Sequence, residues 1–598
     1  MVLIAVCFSI YFTRPLAFRL RNTLPELGDS RLNAYIQAWD THALITGPRR
    51  LFDTNMLYPT RNTLAGSENL LGNQLLFAPV YLLTGNPAIA HNLVILASFI
   101  LSALTMYLLL RSVALPASAA VVGSFIYAFA FPRLAQLGHM QLLSTQWTPL
   151  IVLFLFRYTA RKRAIDLGLM AGALVLQVLC SLYLGYIAVL VLTCYLAATL
   201  CLERGLITRR AWLHFTLAGA GAIILLLPLV RPYVVLQREQ VIPPTIAGSA
   251  GSANPIASYL DVGVFTHQMY YRWLHRFSSD ELDWEKCLFM GFVPLSLSVI
   301  GAGVFKPRLN LLNSRNRTSG CGSTEKQKLE SILALGSIFT ALSAYVLTLG
   351  PTLRIHDHPT HVPLPFLLLE RWVPGMAAFR VPARFVFAFI FGVAALAGCG
   401  FARVLRWRRL PSWSRPVLLV LAISLIAAEY SVGTFHLAQV MAPPQVAPEY
   451  RWLAAQPAHA VTVELPITAP GGFPDPYEEA GYVYASAYHW QPLINGYTGY
   501  RAPVTWETFN LTIELPSRKS IDLLGGLGLK YIVVHQDRMS RAELQRWQFL
   551  PQDLRLAAQF PDGAKIFEVT HSNCRANLFA IVHGHSGVQQ ASTCVSSP

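Results

Sequence analysis

Apolar residues along this chain fall in long unbroken runs, not in the short alternations of soluble strands. Eleven runs stand out, at 1–13, 88–110, 117–131, 145–157, 165–182, 183–201, 212–230, 288–305, 329–349, 382–403 and 416–437. A helix needs about 20 residues to cross the hydrocarbon of a bilayer, so the runs predict about eleven transmembrane helices, the third and fourth of them short. The segment 70–84, "LLGNQLLFAPVYLLT", is also apolar, but it is short and interrupted by Pro79. It predicts an interfacial or re-entrant piece.

After His436 the period changes. "AVTVELPI" (460–467), "LKYIVVHQ" (529–536) and "AKIFEVT" (564–570) are β-branched or alternating and predict strands, and "SRAELQRWQFL" (540–550) predicts a short helix. The expected fold class is therefore mainly α. A polytopic bundle with its loops occupies 1–437, a small α/β domain 438–570, and 571–598, small and polar, is expected to be disordered.

Composition supports this division. Of 598 residues, 54% are hydrophobic and 13% charged, about half the charged fraction of a soluble domain. The net charge of +16 does not call for nucleic acid, because the basic residues cluster in short segments between apolar runs. With the N-terminus inside, the inner loops "RYTARKR" (157–163), "ERGLITRR" (203–210), 306–328 and "RVLRWRRLPSWSR" (403–415) are all basic, as the positive-inside rule requires. The outer loops are then 14–87, 231–287, 350–381 and everything after 437; Arg14, Arg19 and Arg21 dissent. The first run lacks a basic flank and a small-residue cleavage site, so a retained span is expected rather than a signal peptide. Cys574 and Cys594 fit a pair or two free thiols equally well.

One stretch of the first outer loop carries chemistry. In "ELGDSRLNAYIQAWD" (26–40), Leu32, Tyr35, Ile36, Trp39 and Ala43 share a helix face, which predicts an amphipathic helix at the membrane surface. Asp29 fits two readings, a cap for the free N–H groups or a working carboxylate. Asp29 and Asp40 lie about 16 Å apart along such a helix, so they cannot act as a pair on one atom.

The layout of one span, an acidic outer loop with surface helices, many further spans and an outer C-terminal domain resembles the GT-C superfamily of integral membrane glycosyltransferases. The wording is similar to bacterial multi-spanning members of the ArnT/PMT or YfhO kind. It is carried by "GDSRLNAYIQAWDTHAL", "LFDTNMLYPTRNTL", "AHNLVILASFILSALTMYLLLR", "FIYAFAFPRLAQLGHMQLLSTQWTPL" and "FRVPARFVF". It covers roughly residues 1–440 in layout, and the C-terminal region by position only. The resemblance implies transfer of a sugar from a polyprenyl-phosphate donor to an envelope glycan, lipid or protein acceptor, at the outer face of a bacterial cytoplasmic membrane. It implies an acidic base in the first outer loop, best matched by Asp29, with Asp40 and Asp53 in reserve. It also implies arginines for the leaving phosphate.

Arg133 and His139, after the third span, and Arg380 and Arg384, around "VPA", are the candidates; Arg231 reads as a snorkelling arginine. The stretch "SAYHWQPLINGYTGY" (486–500) suits sugar stacking and domain docking equally, and offers His489, Trp490, Asn495 and Tyr497 as acceptor contacts. The cluster His356, Asp357, His358 and His361 reads as a surface loop before a metal site. No metal ligands and no cofactor are assigned, although a divalent metal is left open. Almost no ionisable residue lies mid-span, which favours interfacial chemistry over the alternatives of a lipid-glycan transporter or a non-catalytic scaffold.

Overall fold

The structure is a computed structural model that describes residues 1–203, 208–239, 256–262, 285, 287–303, 321–355, 358–407, 411, 413–467, 474–499 and 503–570. His356 and Asp357, most of the loop 231–287, and the tail with Cys574 and Cys594 lie outside the described residues.

Each of the eleven apolar runs is helical. Six helices are long and apolar enough to cross a bilayer: Pro87–Ser112, Ala117–Ala135, Leu182–Leu202, Arg209–Arg238, Lys326–Thr348 and Pro382–Leu405. The other five runs form the shorter helices Val2–Phe12, Thr148–Arg161, Ala164–Cys180, Phe292–Ala302 and Ser414–Tyr430. By length and composition the chain is a multi-pass membrane protein. The 70–84 segment forms a short helix, Gln74–Thr84, with Pro79 inside it and Leu75, Leu82 and Leu83 exposed.

The chain folds into two compact units, neither continuous in sequence. The first comprises Met1–Arg19, Asn92–Leu227 and Pro243–His436; the second comprises Leu20–His91, Pro228–Ile242 and Leu437–Pro598. A cut at residue 437 therefore misses the grouping of the first outer loop with the C-terminal region.

The hub of the first unit is the helix Val386–Leu405, which is buried over almost its whole length. Glycines let neighbouring backbones reach it on several sides. A Cβ on Gly400 would collide with the carbonyl of Leu297, and one on Gly301 with the carbonyl of Leu396, so the helices Phe292–Ala302 and Val386–Leu405 cross backbone to backbone. On another side, a Cβ on Gly392 would lie 2.7 Å from the Ser337 carbonyl. On a third, a Cβ on Gly123 would lie 2.8 Å from the Ala394 carbonyl. Such approaches build van der Waals contact where lipid supplies no hydrophobic drive between helices. The first turn of Phe292–Ala302 is held by Glu429, whose carboxylate accepts the N–H groups of Phe292 (3.1 Å) and Val293 (3.2 Å), a favourable place for negative charge.

In the second unit, four strands form one sheet in the order Val461–Leu465, Leu529–His535, Ala564–Val569, Leu554–Gln559, parallel across the first pair and antiparallel across the others. Three of these strands and the short helix Arg541–Arg546 follow the sequence pattern. The strand Leu554–Gln559 and the helices Pro476–Ser486, Pro503–Ile513 and Arg518–Gly526 were not foreseen. "LRLAAQ" is an edge strand, largely exposed, so no buried face imposes a two-residue period on it.

The segment that follows the first apolar run is sewn to this region by main-chain bonds. Leu493 N–H donates to the Asn55 carbonyl (2.6 Å), Leu57 N–H to Asn495 (3.0 Å) and Tyr58 N–H to Leu493 (2.9 Å). The Asn55 amide adds a bond to the Gln491 carbonyl at 2.9 Å. Leu57 is held at a φ of 59°, a left-handed conformation that is costly for a leucine, and these bonds offset that cost.

Replacing Gly400 or Gly301 by valine should cost more than the roughly 1–3 kcal/mol of ordinary overpacking, because the obstruction is backbone. Size-exclusion profiles of detergent-extracted protein should show loss of the folded peak. Gly168→Ala, where a Cβ meets nothing within 4 Å, should elute as wild type; equal behaviour of the two classes would refute the packing argument.

Candidate functional site

The surface helix begins at Asp29 and runs to Thr46. Pro25 and Gly28 set its entry, with Gly28 at the N-cap. The cap does not come from the Asp29 side chain, which sets aside one of its two readings. The Glu26 carboxylate reaches forward and accepts the N–H groups of both Gly28 and Ser30. The helix is also not half-exposed. Leu32 through Thr41 are all buried, and Gln37 and Asp40 have no exposed surface. The helices Pro476–Ser486 and Gln74–Thr84 pack against it, so its polar face is an inner face.

Asp29 receives a hydrogen bond from Tyr497: the phenol Oη donates to Oδ1 at 2.9 Å. Burial, and then the charge of Asp29, push the Tyr497 phenol well above its ordinary range, so it remains a proton donor. From the sequence, Asp29 is expected as base and Tyr497 as acceptor contact; the fold makes them hydrogen-bond partners.

The remaining candidates from 486–500 take structural positions. Asn495 is fully engaged. Its Nδ2 donates to the Glu464 carbonyl (3.0 Å) and to Glu479 (2.9 Å), and its Oδ1 accepts the Glu464 N–H (2.7 Å). His489 is buried; its Nδ1 accepts the Gln491 N–H at 3.0 Å and its ring stacks on Tyr450. Burial lowers its pKa to about 3, so it is neutral. Trp490, at a φ of 56°, stacks on His42 with centroids 4.3 Å apart and packs near Trp39 and Tyr35. In the structure this stretch is a docking face for the first outer loop.

The two reserve carboxylates differ from Asp29. Asp53 accepts the Asn62 N–H at 2.8 Å and closes a local loop. Asp40 lies in a buried polar layer with Gln37, Thr41, Gln74 and His91. Gln74 donates to Oδ2 at 3.4 Å and Thr41 donates to Gln74 at 2.7 Å. His91 Nδ1 and Gln37 Oε1 lie 2.7 Å apart. Oδ1 of Asp40 has no hydrogen-bond partner among the described residues. Burial drives its pKa well above the carboxylate range, and the Gln74 bond only partly opposes this.

In the first unit, Arg133 is 1% exposed and stacks over Phe99, 4.7 Å from the ring centroid. Its Nη2 donates to the carbonyls of Ser98 (3.1 Å) and Leu143 (2.6 Å). Nε and Nη1 have no partner among the described residues. Three of the five N–H donors are thus open on a buried cation without a described carboxylate, an expensive arrangement unless an anion completes it.

Arg384 is different. It makes an ion pair with Glu285 (2.7 Å) and lies 4.5 Å from the Tyr183 ring centroid, and Gln136 donates to the same carboxylate at 3.2 Å. A phosphate there would meet Glu285, which lies 99 positions from Arg384 and which no local pattern pairs with it. Arg380 is exposed beyond the turn Met376–Ala378, and His139 is half-buried at the N-cap of Met140–Leu143.

Among the described residues, no three His, Cys, Asp or Glu side chains gather as metal ligands would. Around Asp29, Glu26 is spent on main-chain N–H groups and Tyr497 is a donor, so these neighbours do not fit a divalent ion.

No family model matches the chain, and no curated protein matches it. Among solved structures, the chain is similar to the arabinofuranosyltransferase AftD from Mycobacteria, with 15% identity and a TM-score of 0.50 over 96% of this chain and 41% of that one. It also aligns with the oligosaccharyltransferase of Archaeoglobus fulgidus in complex with Zn and sulfate, at 13% identity and a TM-score of 0.46 over 95% of this chain and 73% of that one. The chain therefore shares the fold of the AftD structure, and spans well under half its length.

The raised pKa of Asp40 fixes the sign of a stability change. Its proton is held more tightly folded than unfolded, so this contribution is complete below the unfolded value of ~3.9. It is lost as pH rises through the raised folded value. Thermal-unfolding midpoints of wild type should fall from pH 5 to pH 8, and Asp40→Asn should flatten that fall and match or exceed wild type at pH 8. An unchanged pH dependence would contradict the assignment.

Proposed function

We propose that the protein is an integral membrane glycosyltransferase that moves a sugar from a polyprenyl-phosphate donor to a cell-envelope acceptor. The reaction takes place on the outer face of a bacterial cytoplasmic membrane, with all eleven apolar helices spanning and the C-terminal region outside. The observation that carries the reading is Asp29 itself. It is a carboxylate at the first turn of the first-loop helix, left out of the helix cap because Glu26 accepts the N–H groups.

Asp29 takes the proton of the acceptor hydroxyl as the hydroxyl oxygen attacks the anomeric carbon. The bond from that carbon to the phosphate oxygen breaks, and its electron pair leaves with the lipid phosphate. Within the first unit, Arg133 is the candidate for binding a lipid phosphate, with three N–H donors that meet no partner among the described residues. Arg384, already neutralised by Glu285, is less suited. Asp40 is held protonated in a buried layer and Asp53 in a local turn, so neither competes as base.

With radiolabelled polyprenyl-phosphate sugars as donors, Asp29→Asn should lower transfer by roughly 10²- to 10⁴-fold, the usual worth of a general base, with a wild-type elution profile. Asp53→Asn should keep turnover near wild type. Arg133→Lys should raise the KM for donor and lower kcat. Full transfer by Asp29→Asn would remove it as base. No transfer by wild type with any donor would favour the transporter or scaffold reading.

A further inference from the structure

The helix Gln74–Thr84 has two unlike sides. Leu75, Pro79, Leu82 and Leu83 are exposed and share a stripe about 100° wide. Phe77, opposite them, is wholly buried. No residue of the helix is charged.

Both ends of this helix are tied down beside exposed arginines. Gly85, in a left-handed conformation, closes it, and after Asn86 begins Pro87–Ser112, a helix long and apolar enough to cross a bilayer. The Asn86 carboxamide accepts the N–H groups of Ala88 (2.9 Å) and Ile89 (3.2 Å), as a capping side chain does, and donates to the Arg21 carbonyl at 2.9 Å. Arg21 therefore stands where the stripe meets the start of a helix of bilayer length. At the other end, Gln74 is bonded to Thr41 (2.7 Å) and to the Gln37 carbonyl (3.0 Å) on the helix Asp29–Thr46. One turn beyond Thr41, Leu44 and Ile45 are exposed, and the turn Pro48–Arg50 that follows exposes Arg49 and Arg50.

The charge here has one sign. Within Leu20–His91 every exposed charged side chain is an arginine: Arg21, Arg49, Arg50 and Arg61. Glu26, Asp29, Asp53 and Glu68 are half-buried, and Asp40 is buried.

We propose that this face is a binding surface for anionic phospholipid. Leu75, Pro79, Leu82 and Leu83, with Leu44 and Ile45, lie against acyl chains, and Arg21, Arg49 and Arg50 take headgroup phosphates at the two ends. An uncharged apolar stripe gains by leaving water for the acyl boundary. The guanidinium fork matches a phosphate and stays charged. A second copy docked on the stripe about a two-fold axis would bring like charges together. The surface goes beyond the catalytic reading and does not depend on it. It also gives a role to Arg21, which stands against the positive-inside pattern.

The test uses full-length protein in nanodiscs made from an equal mixture of phosphatidylglycerol and phosphatidylcholine. Benzoylphenylalanine at position 83, and separately at 75, should give phospholipid adducts on irradiation, identified by peptide mass analysis. Chain-to-chain adducts would overturn the proposal in favour of a second copy, and recovery of both peptides without lipid would place the stripe in water and overturn it too. Among the adducts, phosphatidylglycerol should exceed phosphatidylcholine. Arg21→Gln should lower that ratio at position 83 about fivefold, and Arg49→Gln or Arg50→Gln should do the same at position 75. Ratios equal to wild type in all three variants would overturn the anionic assignment. Should a glutamine variant fail to fold, raising the salt on wild type should draw its ratio toward that of the mixture, because screening weakens the arginine contacts. A ratio that salt does not move would count against the arginines in the same way.

Discussion

The first unit depends on how closely main chains can approach the helix Val386–Leu405. In lipid, apolar side chains gain nothing by leaving one hydrocarbon surface for another, so association rests on packing distance and polar contacts. Gly301 and Gly400 remove the atoms that would keep two helices apart, and Gly123 and Gly392 do the same on other sides. Once the hub is surrounded, polar clasps such as Tyr195 to Ser337 (2.7 Å) and Tyr430 to the Met290 carbonyl (2.9 Å) have fixed partners.

A different interaction organises the second unit. Its sheet has an ordinary apolar core of Val463, Ile532, Val534 and their neighbours, but the first outer loop joins it through main-chain bonds and an extended polar seam. Main-chain bonds are indifferent to side-chain identity, and each buried N–H or C=O left unpaired would cost free energy. The loop and the C-terminal region therefore satisfy each other. One consequence is that residues from opposite ends of the chain, such as Asp29 and Tyr497, meet with a defined geometry.

Buried charge marks where the fold is not optimised for stability alone. Among the described residues, Asp40 is inside without a cation and Arg133 is inside without a carboxylate. Burial pushes the Asp40 carboxyl well above its ordinary range, toward its neutral form. Arginine does not have that option, since its guanidinium stays charged in proteins, and it carries open donors instead.

The helical runs were legible in the sequence because crossing a bilayer demands length and apolarity, both local properties. The strands at 461–465, 529–535 and 564–569 were legible because burial on the sheet selects β-branched residues; the exposed edge strand was not. Asp29 stands out in the sequence as an acid that follows the first apolar run closely. Its cap-free state was not legible, because nothing local says that Glu26 would reach forward to Gly28 and Ser30. The surface helix was misjudged as half-exposed, since an amphipathic pattern cannot tell water from a second polar layer. By itself the sequence determined which segments are apolar helices, which region forms a sheet, and that a polar-faced helix with an acid at its start follows the first apolar run. The tertiary structure alone decided that Asn495 is a clip, that Arg384 has Glu285 for a neighbour and that Tyr497 holds Asp29. Those pairings span dozens to hundreds of residues, and only the folded packing brings their partners within hydrogen-bond reach.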